Sequence, residues 1–595
     1  MKTHPPRLVL RCVALLVTGW FAFSSIHAAD ATHGMVASAH PLATQAGVNA
    51  LKSGGNAIDA AVAVGLTLGV VDGHNSGIGG GCFMLIRRAN GEFIAIDGRE
   101  KAPATASRDM FLRDGKADTK LSQTGALASG VPGEIAAFDY AIKHFGRKKF
   151  ADVLLPAAIV AENGFELSGI YDSRLRANAA ELASFEASRA IFFRDGKLLV
   201  KGDVLKQADL AATYRALAEQ GSDWFYRGPF ATNTALWMKT HGGLITVEDF
   251  ANYRIELREP IRSRYRGYDV VSFPPPSSGG VHVAQMLNIL ERFDLKSFDE
   301  PTRLHVLTEA MKLAFADRAY WLGDPDFAKV PRGLVAQEYG DILAGMIDVH
   351  RAIDVPRHGL PPRYAEDFFP SKPGTASSAT PSKTASIIAV PVPGAAASEP
   401  DLDKHTTHFS VADAEGNWVA CTATVNTGFG SKVVVPGTGV LLNNQMDDFS
   451  VQPGVANYFG LVGAEANAIA PGKRPLSSMS PTIVLKGGQP IIALGAAGGP
   501  KIISAVLLEL VAMLDLGQTP QQAVAAPRIH QQWSPDEIMV ERTLPEARVR
   551  ELELRGHKVR VISAGSTSHI VARSRDGKGF TGAADPRGSG TAEGW

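Results

Sequence analysis

Cysteine is nearly missing from this 595-residue chain, which holds only Cys12, Cys82 and Cys421. So few thiols exclude a disulfide framework, and a chain of this length can fold on its apolar core alone. Cys82 and Cys421 lie in strand-like apolar runs and read as buried small hydrophobes rather than as a pair. No CxxC, HExxH or EF-hand spacing occurs, so no metal and no cofactor are expected. Charge of neither sign dominates: 60 Lys and Arg stand against 60 Asp and Glu, without long runs. The clustered basic face that a nucleic-acid partner demands is therefore absent. No repeat of 20–50 residues is found, which argues against a solenoid or propeller. The longest early apolar run, Cys12 to Phe23, falls short of the roughly 20 residues a membrane span needs.

That run has its own logic. Lys2, Arg7 and Arg11 precede it, and Ser24-Ser25-Ile26-His27-Ala28-Ala29 follows with small residues. This is the three-part layout of a secretory signal peptide over residues 1–28, with cleavage expected after Ala28. Its removal takes three basic residues and no acidic one, leaving 57 against 60. The expected product is periplasmic or secreted, with no membrane attachment after cleavage.

The remainder has globular composition, 45% hydrophobic and 20% charged. Ala43 to Leu51 reads as a helix stopped by Ser53-Gly54-Gly55. Asn56 can cap a second, Ala57 to about Leu68, apolar on nearly all sides and so expected to be buried. The Gly77-Ile78-Gly79-Gly80-Gly81 stretch lacks phosphate-loop spacing and suits close backbone approach. Cys82 to Arg87 and Phe93 to Asp97 form a hairpin about Asn90-Gly91. Residues 107–330 are expected to be mostly helical, interrupted by Phe273-Pro274-Pro275-Pro276-Ser277-Ser278-Gly279-Gly280. Residues 371–400, rich in Ser, Ala, Pro, Thr and Lys, read as an exposed linker. Hairpin patterns then recur at 407–424, 481–494 and 568–582, with helices over Ile502 to Leu514 and Pro545 to Arg555. Strands between helical layers predict an α+β sandwich of stacked sheets.

The most informative short segment is Lys404-His405-Thr406-Thr407-His408-Phe409-Ser410-Val411. A flexible segment that runs into a Thr at a strand start is what a self-cleaving enzyme with an N-terminal nucleophile needs. Cleavage before the Thr frees an α-amine beside its own hydroxyl, and an amine with pKa of roughly 7.7–8.0 can act as general base. A β-prone Thr pair that simply opens a strand would look the same. If the hairpin turns near Glu415-Gly416, Thr406 falls opposite the Thr424 to Asn426 region. His405 and His408 then point to opposite faces, which argues against metal binding there.

Eight stretches, in order, carry a resemblance to the γ-glutamyltransferase (γ-glutamyl transpeptidase) family. They are Gly54-Gly55-Asn56-Ala57-Ile58-Asp59-Ala60-Ala61, Gly79-Gly80-Gly81-Cys82-Phe83-Met84, Asp97-Gly98-Arg99-Glu100 and Pro274-Pro275-Pro276-Ser277-Ser278-Gly279-Gly280. Thr406-Thr407-His408-Phe409-Ser410, Asn443-Asn444-Gln445-Met446-Asp447-Asp448-Phe449, Pro475-Leu476-Ser477-Ser478-Met479-Ser480-Pro481 and Gly495-Ala496-Ala497-Gly498-Gly499 complete the set. The resemblance runs from about residue 34 to the C-terminus.

It implies a four-layer αββα N-terminal-nucleophile hydrolase sandwich whose precursor cuts itself into two subunits that stay together. Carried onto this chain, the cut falls between His405 and Thr406, giving a large subunit over 29–405 and a small one over 406–595. Thr406 would attack a γ-glutamyl amide, Thr424 would orient it, and the Gly498 and Gly499 N–H groups would form the oxyanion hole. Arg99, Ser477 and Ser478 resemble the clamp for the donor's α-carboxylate. Asn426, Gln445 and Asp448 resemble the pocket for its α-ammonium. Glutathione is the expected donor, with water or an acceptor amino acid or peptide resolving the acyl-enzyme.

Two positions depart from the family's pattern. Cys82 stands where many relatives carry Gly, and Phe459 aligns with a lid-loop position that is often an aromatic with a hydroxyl. The rival readings are a cephalosporin (glutaryl) acylase and a poly-γ-glutamate depolymerase with the same nucleophile.

Overall fold

A computed structural model describes residues 29–362, 367–368 and 405–595. The expected leader over 1–28 and the expected linker over 371–400 lie outside the described residues.

Two antiparallel sheets stack at the centre. The first has seven strands, in the order Glu256–Arg258, Phe93–Gly98, Gly81–Arg87, Trp418–Thr424, Thr407–Asp413, Gly34–Ser38, Thr591–Gly594. The second runs Ala29–Ala31, Phe580–Ala584, Thr567–Arg573, Gln489–Leu494, Thr482–Lys486, Tyr268–Ser272, Ile261–Tyr265, with Ala496–Ala497 also pairing to Thr567–Arg573. Side chains alternate along each strand, so both sheets have two apolar faces. The facing sides share a core that includes Phe83, Leu85, Phe273, Trp418, Val571 and Phe580. The outer side of the first sheet packs on helices such as Ala57–Val71, and that of the second on Gly279–Leu290, Glu300–Trp321 and Lys501–Leu514. The layers are thus helix, sheet, sheet, helix.

Local chemistry explains the elements that position the cleft. Asn56 accepts the first N–H groups of Ala57–Val71 while Asp59 returns a bond to the Asn56 N–H. Every residue of that helix is buried, as its all-round apolar sequence predicts. Gly91, after Asn90, and the pair Gly487-Gly488 supply the left-handed backbone in the turns of two hairpins. Gly80 answers a different need: a Cβ there would stand 2.1 Å from the Thr424 carbonyl oxygen. Only glycine lets this loop press against the end of the strand Trp418–Thr424.

The central region departs from expectation. Ile261–Tyr265 and Tyr268–Ser272 form a hairpin that closes one edge of the second sheet. Its first strand reads Ile-Arg-Ser-Arg-Tyr, and only the two ends are buried, which is the period of a half-exposed strand. The short strand Thr591–Gly594, half-exposed throughout, also lay outside the expected elements. Cys82 and Cys421 are buried and free. No helix among the described residues is long and apolar enough to cross a membrane.

Candidate active site

The hairpin of Thr407–Asp413 and Trp418–Thr424 places Thr407 opposite Ala423. Thr406 therefore enters beside Thr424, and the two hydroxyl oxygens stand 3.1 Å apart. The Thr424 oxygen also accepts the Asn426 N–H at 2.8 Å. Asn426 in turn donates its amide to the Asn444 carbonyl at 3.0 Å, which ties this strand end to the 443–448 segment. Thr407 points the other way: its hydroxyl lies on the face of Asp72, whose carboxyl burial pushes up to about 7. Geometry thus separates the two threonines that the sequence leaves side by side.

One cleft gathers the expected residues. Arg99, Thr406, Thr424, Asn426, Gln445, Asp448, Ser477, Ser478 and Gly499 all line it, whereas Gly498 is not among the lining residues. Arg318, Phe459, Leu461 and Met479 line it as well. Arg99 follows the strand Phe93–Gly98 and is fully buried. Its Nη2 pairs with Asp448 Oδ2 at 2.5 Å, and its Nε donates to the Pro475 carbonyl at 3.1 Å. Gln445 Nε2 donates to the same Asp448 oxygen at 2.8 Å. The cation expected to hold a carboxylate and the anion expected to hold an ammonium therefore neutralise each other across the cleft. Glu100 sits behind Arg99, its Oε2 3.7 Å from Nη1, with a carboxyl raised by burial to about 8. At neutral pH it is protonated and leaves the Arg99 charge intact.

Ser477 and Ser478 sit on a loop clasped to the Pro-rich turn. Ser278 donates both its N–H and its hydroxyl to the Ser477 carbonyl, each at 2.7 Å. Ser477 Oγ accepts the Met479 N–H at 3.1 Å. Gly498 and Gly499 precede the helix Lys501–Leu514 with φ of 133° and 58°, and a Cβ at Gly499 would meet the Phe459 ring at 2.7 Å. The Gly498 N–H donates to the His405 carbonyl at 2.9 Å, on the bond that precedes Thr406. Thr406 itself has φ of 85°, a region β-branched residues avoid at a cost of about 1–3 kcal/mol.

Among the described residues one other cluster has ligand chemistry: His305, Glu309 and His557, all buried. It is a closed network. His305 Nδ1 accepts from His557 Nε2 at 2.7 Å, nearer than two nitrogens on one tetrahedral ion stand, and the Lys312 ammonium lies 3.2 Å from Glu309.

Sequence reasoning missed Arg318, Glu100 and the role of Ser278. Arg318 left one trace, a cation on the helix Glu300–Trp321 where Asp317 and Ala319 beside it are also buried.

An αββα sandwich with a threonine at a strand start inside a polar cleft defines an N-terminal-nucleophile hydrolase. The sequence model described as Gamma-glutamyltranspeptidase matches residues 43–595. The chain is 45% identical over 566 residues to a glutathione hydrolase proenzyme of Escherichia coli (strain K12), covering 94% of this chain and 91% of that one. It is 39% identical over 575 residues to the Acylase ACY 1 proenzyme of Pseudomonas sp. (strain SE83), covering 95% and 94%. The solved cephalosporin acylase from Bacillus halodurans matches with a TM-score of 0.82 at 29% identity, over 98% of this chain and 99% of that one. The chain belongs to the gamma-glutamyltranspeptidase family.

Proposed function

We propose that this chain is a γ-glutamyltransferase with glutathione hydrolase activity that cuts itself before Thr406. The observation that carries the reading is the opposed pair Arg99 and Asp448 in the cleft of Thr406. A γ-glutamyl donor bears an α-carboxylate and an α-ammonium, so it exchanges one internal ion pair for two. A glutaryl donor offers Asp448 nothing.

Self-cleavage starts with Thr406 Oγ attacking the His405 carbonyl carbon. The Gly498 N–H on that carbonyl oxygen and the strained φ of Thr406 both favour the step. The C–N bond breaks, the hydroxyl proton passes to the nitrogen, which becomes the Thr406 amine, and water opens the ester to restore the hydroxyl and free the His405 carboxylate. In turnover Thr406 Oγ attacks the γ-carbonyl carbon and its proton passes to the Thr406 amine. Gly498 and Gly499 N–H groups stabilise the oxyanion, for which glycine allows close approach. The amine returns the proton to the leaving nitrogen. Water then yields glutamate, or an acceptor amine yields a new γ-glutamyl amide. Thr424 and the Asn426 N–H hold the nucleophile in place.

The two products, 29–405 and 406–595, would stay together. Strand pairs across the cut support this: Gly81–Arg87 with Trp418–Thr424, and Gly34–Ser38 with Thr591–Gly594. Export to the periplasm or medium follows from residues 1–28. Denaturing electrophoresis with N-terminal sequencing tests the scheme. A fragment beginning at Thr406, lost in Thr406→Ala, is expected together with hydrolysis of γ-glutamyl-4-nitroanilide. A single uncut yet active chain would overturn it.

A further inference from the structure

We propose that Arg318 is a positioning residue for the donor's α-carboxylate and acts through Ser478. This rests on the γ-glutamyl reading and adds a residue outside the expected set. Arg318 stands in the last turn of Glu300–Trp321, is 6% exposed, and lines the cleft. Its Nε donates to Ser278 Oγ at 3.0 Å and its Nη2 to Ser478 Oγ at 3.3 Å. No carboxylate among the described residues pairs with it. Burial lowers its pKa to about 10, which still leaves it charged at neutral pH.

Arg99 is different, because Asp448 holds its charge until an ammonium arrives. Arg318 feels the same Asp448 only at a distance, so two cleft guanidiniums share one carboxylate that Arg99 already holds, and a buried cation so partly offset favours a further anion. The direction of its hydrogen bonds says where. A guanidinium only donates, so Ser478 Oγ accepts and keeps its own proton for another acceptor. Ser477 Oγ accepts from the Met479 N–H and keeps its proton as well. Ser278 takes Arg318 Nε and spends its proton on the Ser477 carbonyl, which locks the cation to the serine loop. Two neighbouring hydroxyls with free protons, backed by a cation, form a carboxylate site.

Two anilides separate this role from a structural one: γ-glutamyl-4-nitroanilide, and 4-aminobutyryl-4-nitroanilide, which lacks only the α-carboxylate. With Arg318→Gln, kcat/KM on the first is expected to fall about 10- to 100-fold, mainly through KM, and on the second by less than about threefold. Adding Ser478→Ala to Arg318→Gln should cost little beyond the larger single effect, because both remove one contact. Appearance of the Thr406 fragment and an unchanged melting temperature check the fold. If Arg318→Gln does not fold, Arg318→Lys carries the same comparison with a smaller loss of preference. Equal losses on both anilides, or a wild-type preference in the variant, would overturn the assignment. Wild-type protein that processes itself but hydrolyses no γ-glutamyl-4-nitroanilide would refute the γ-glutamyl reading, and this assignment with it.

Discussion

Replacing Asp448 by Asn is the sharpest test of donor chemistry. The side chain keeps its size, and its amide can still meet Gln445, but the charge goes. Asp448 Oδ2 holds Arg99 Nη2 at 2.5 Å and accepts Gln445 Nε2 at 2.8 Å. Arg99 keeps its bonds to the carbonyls of Pro475 and Leu476, so the guanidinium should stay in place. The loss on a γ-glutamyl donor is then one charge-assisted hydrogen bond to the ammonium, about 1.5–3 kcal/mol, or roughly 10- to 150-fold in kcat/KM. The gain is release of Arg99 from its internal partner, which helps any donor with only a carboxylate. Hydrolysis of γ-glutamyl-4-nitroanilide should therefore drop by that factor while glutaryl-4-nitroanilide holds or improves. Unchanged turnover of the γ-glutamyl anilide would refute the reasoning and favour an acylase.

Thr424→Val removes the oxygen that meets Thr406 and leaves the buried Asn426 N–H without an acceptor. A stability loss of about 1–3 kcal/mol in denaturant melts and a clear drop in kcat are expected; a variant with wild-type values of both would contradict the site. Gly80→Ala forces a methyl group against the Thr424 carbonyl, so uncut chain should accumulate on a gel, and normal processing would argue against this loop as the support of the strand end. Glu100 carries a pH prediction. Raised to about 8 by burial, it is neutral below that pH and ionises above it, 3.7 Å from Arg99, where it competes with the donor's carboxylate. KM should rise above about pH 8 in the wild type and stay flatter in Glu100→Gln; identical profiles would remove Glu100 from the account. The same shift has a stability sign. The folded state keeps a proton that the unfolded chain releases from about pH 4.5 upward, so this group's contribution to stability falls as pH rises toward about 8.

The hairpin was legible because its information is local. Alternation and a Glu-Gly turn bring Thr406 to Thr424 across 18 residues with no knowledge of the rest. Capping explains the legibility of Ala57–Val71 in the same way. The edge hairpin Ile261–Tyr265 and Tyr268–Ser272 was hidden by the helical periods around it, although its own alternation is visible once isolated. Arg318 was out of reach for a different reason. Its meaning comes from Ser278 and Ser478, 40 and 160 residues away, and from an Asp448 that Arg99 already holds. No periodicity encodes either. Likewise, the Arg99–Asp448 pairing joins two positions that the resemblance assigns to separate tasks.

The interleaved first sheet constrains the order of events in making this protein. Its middle and one edge are assembled from chain on both sides of residue 405, strand against strand. Either portion synthesised alone would carry ladders with no partner, an invitation to aggregate. If the chain is cut before Thr406 as proposed, assembly would have to precede scission, with the intact precursor as the template for a pair that could not readily find each other as strangers.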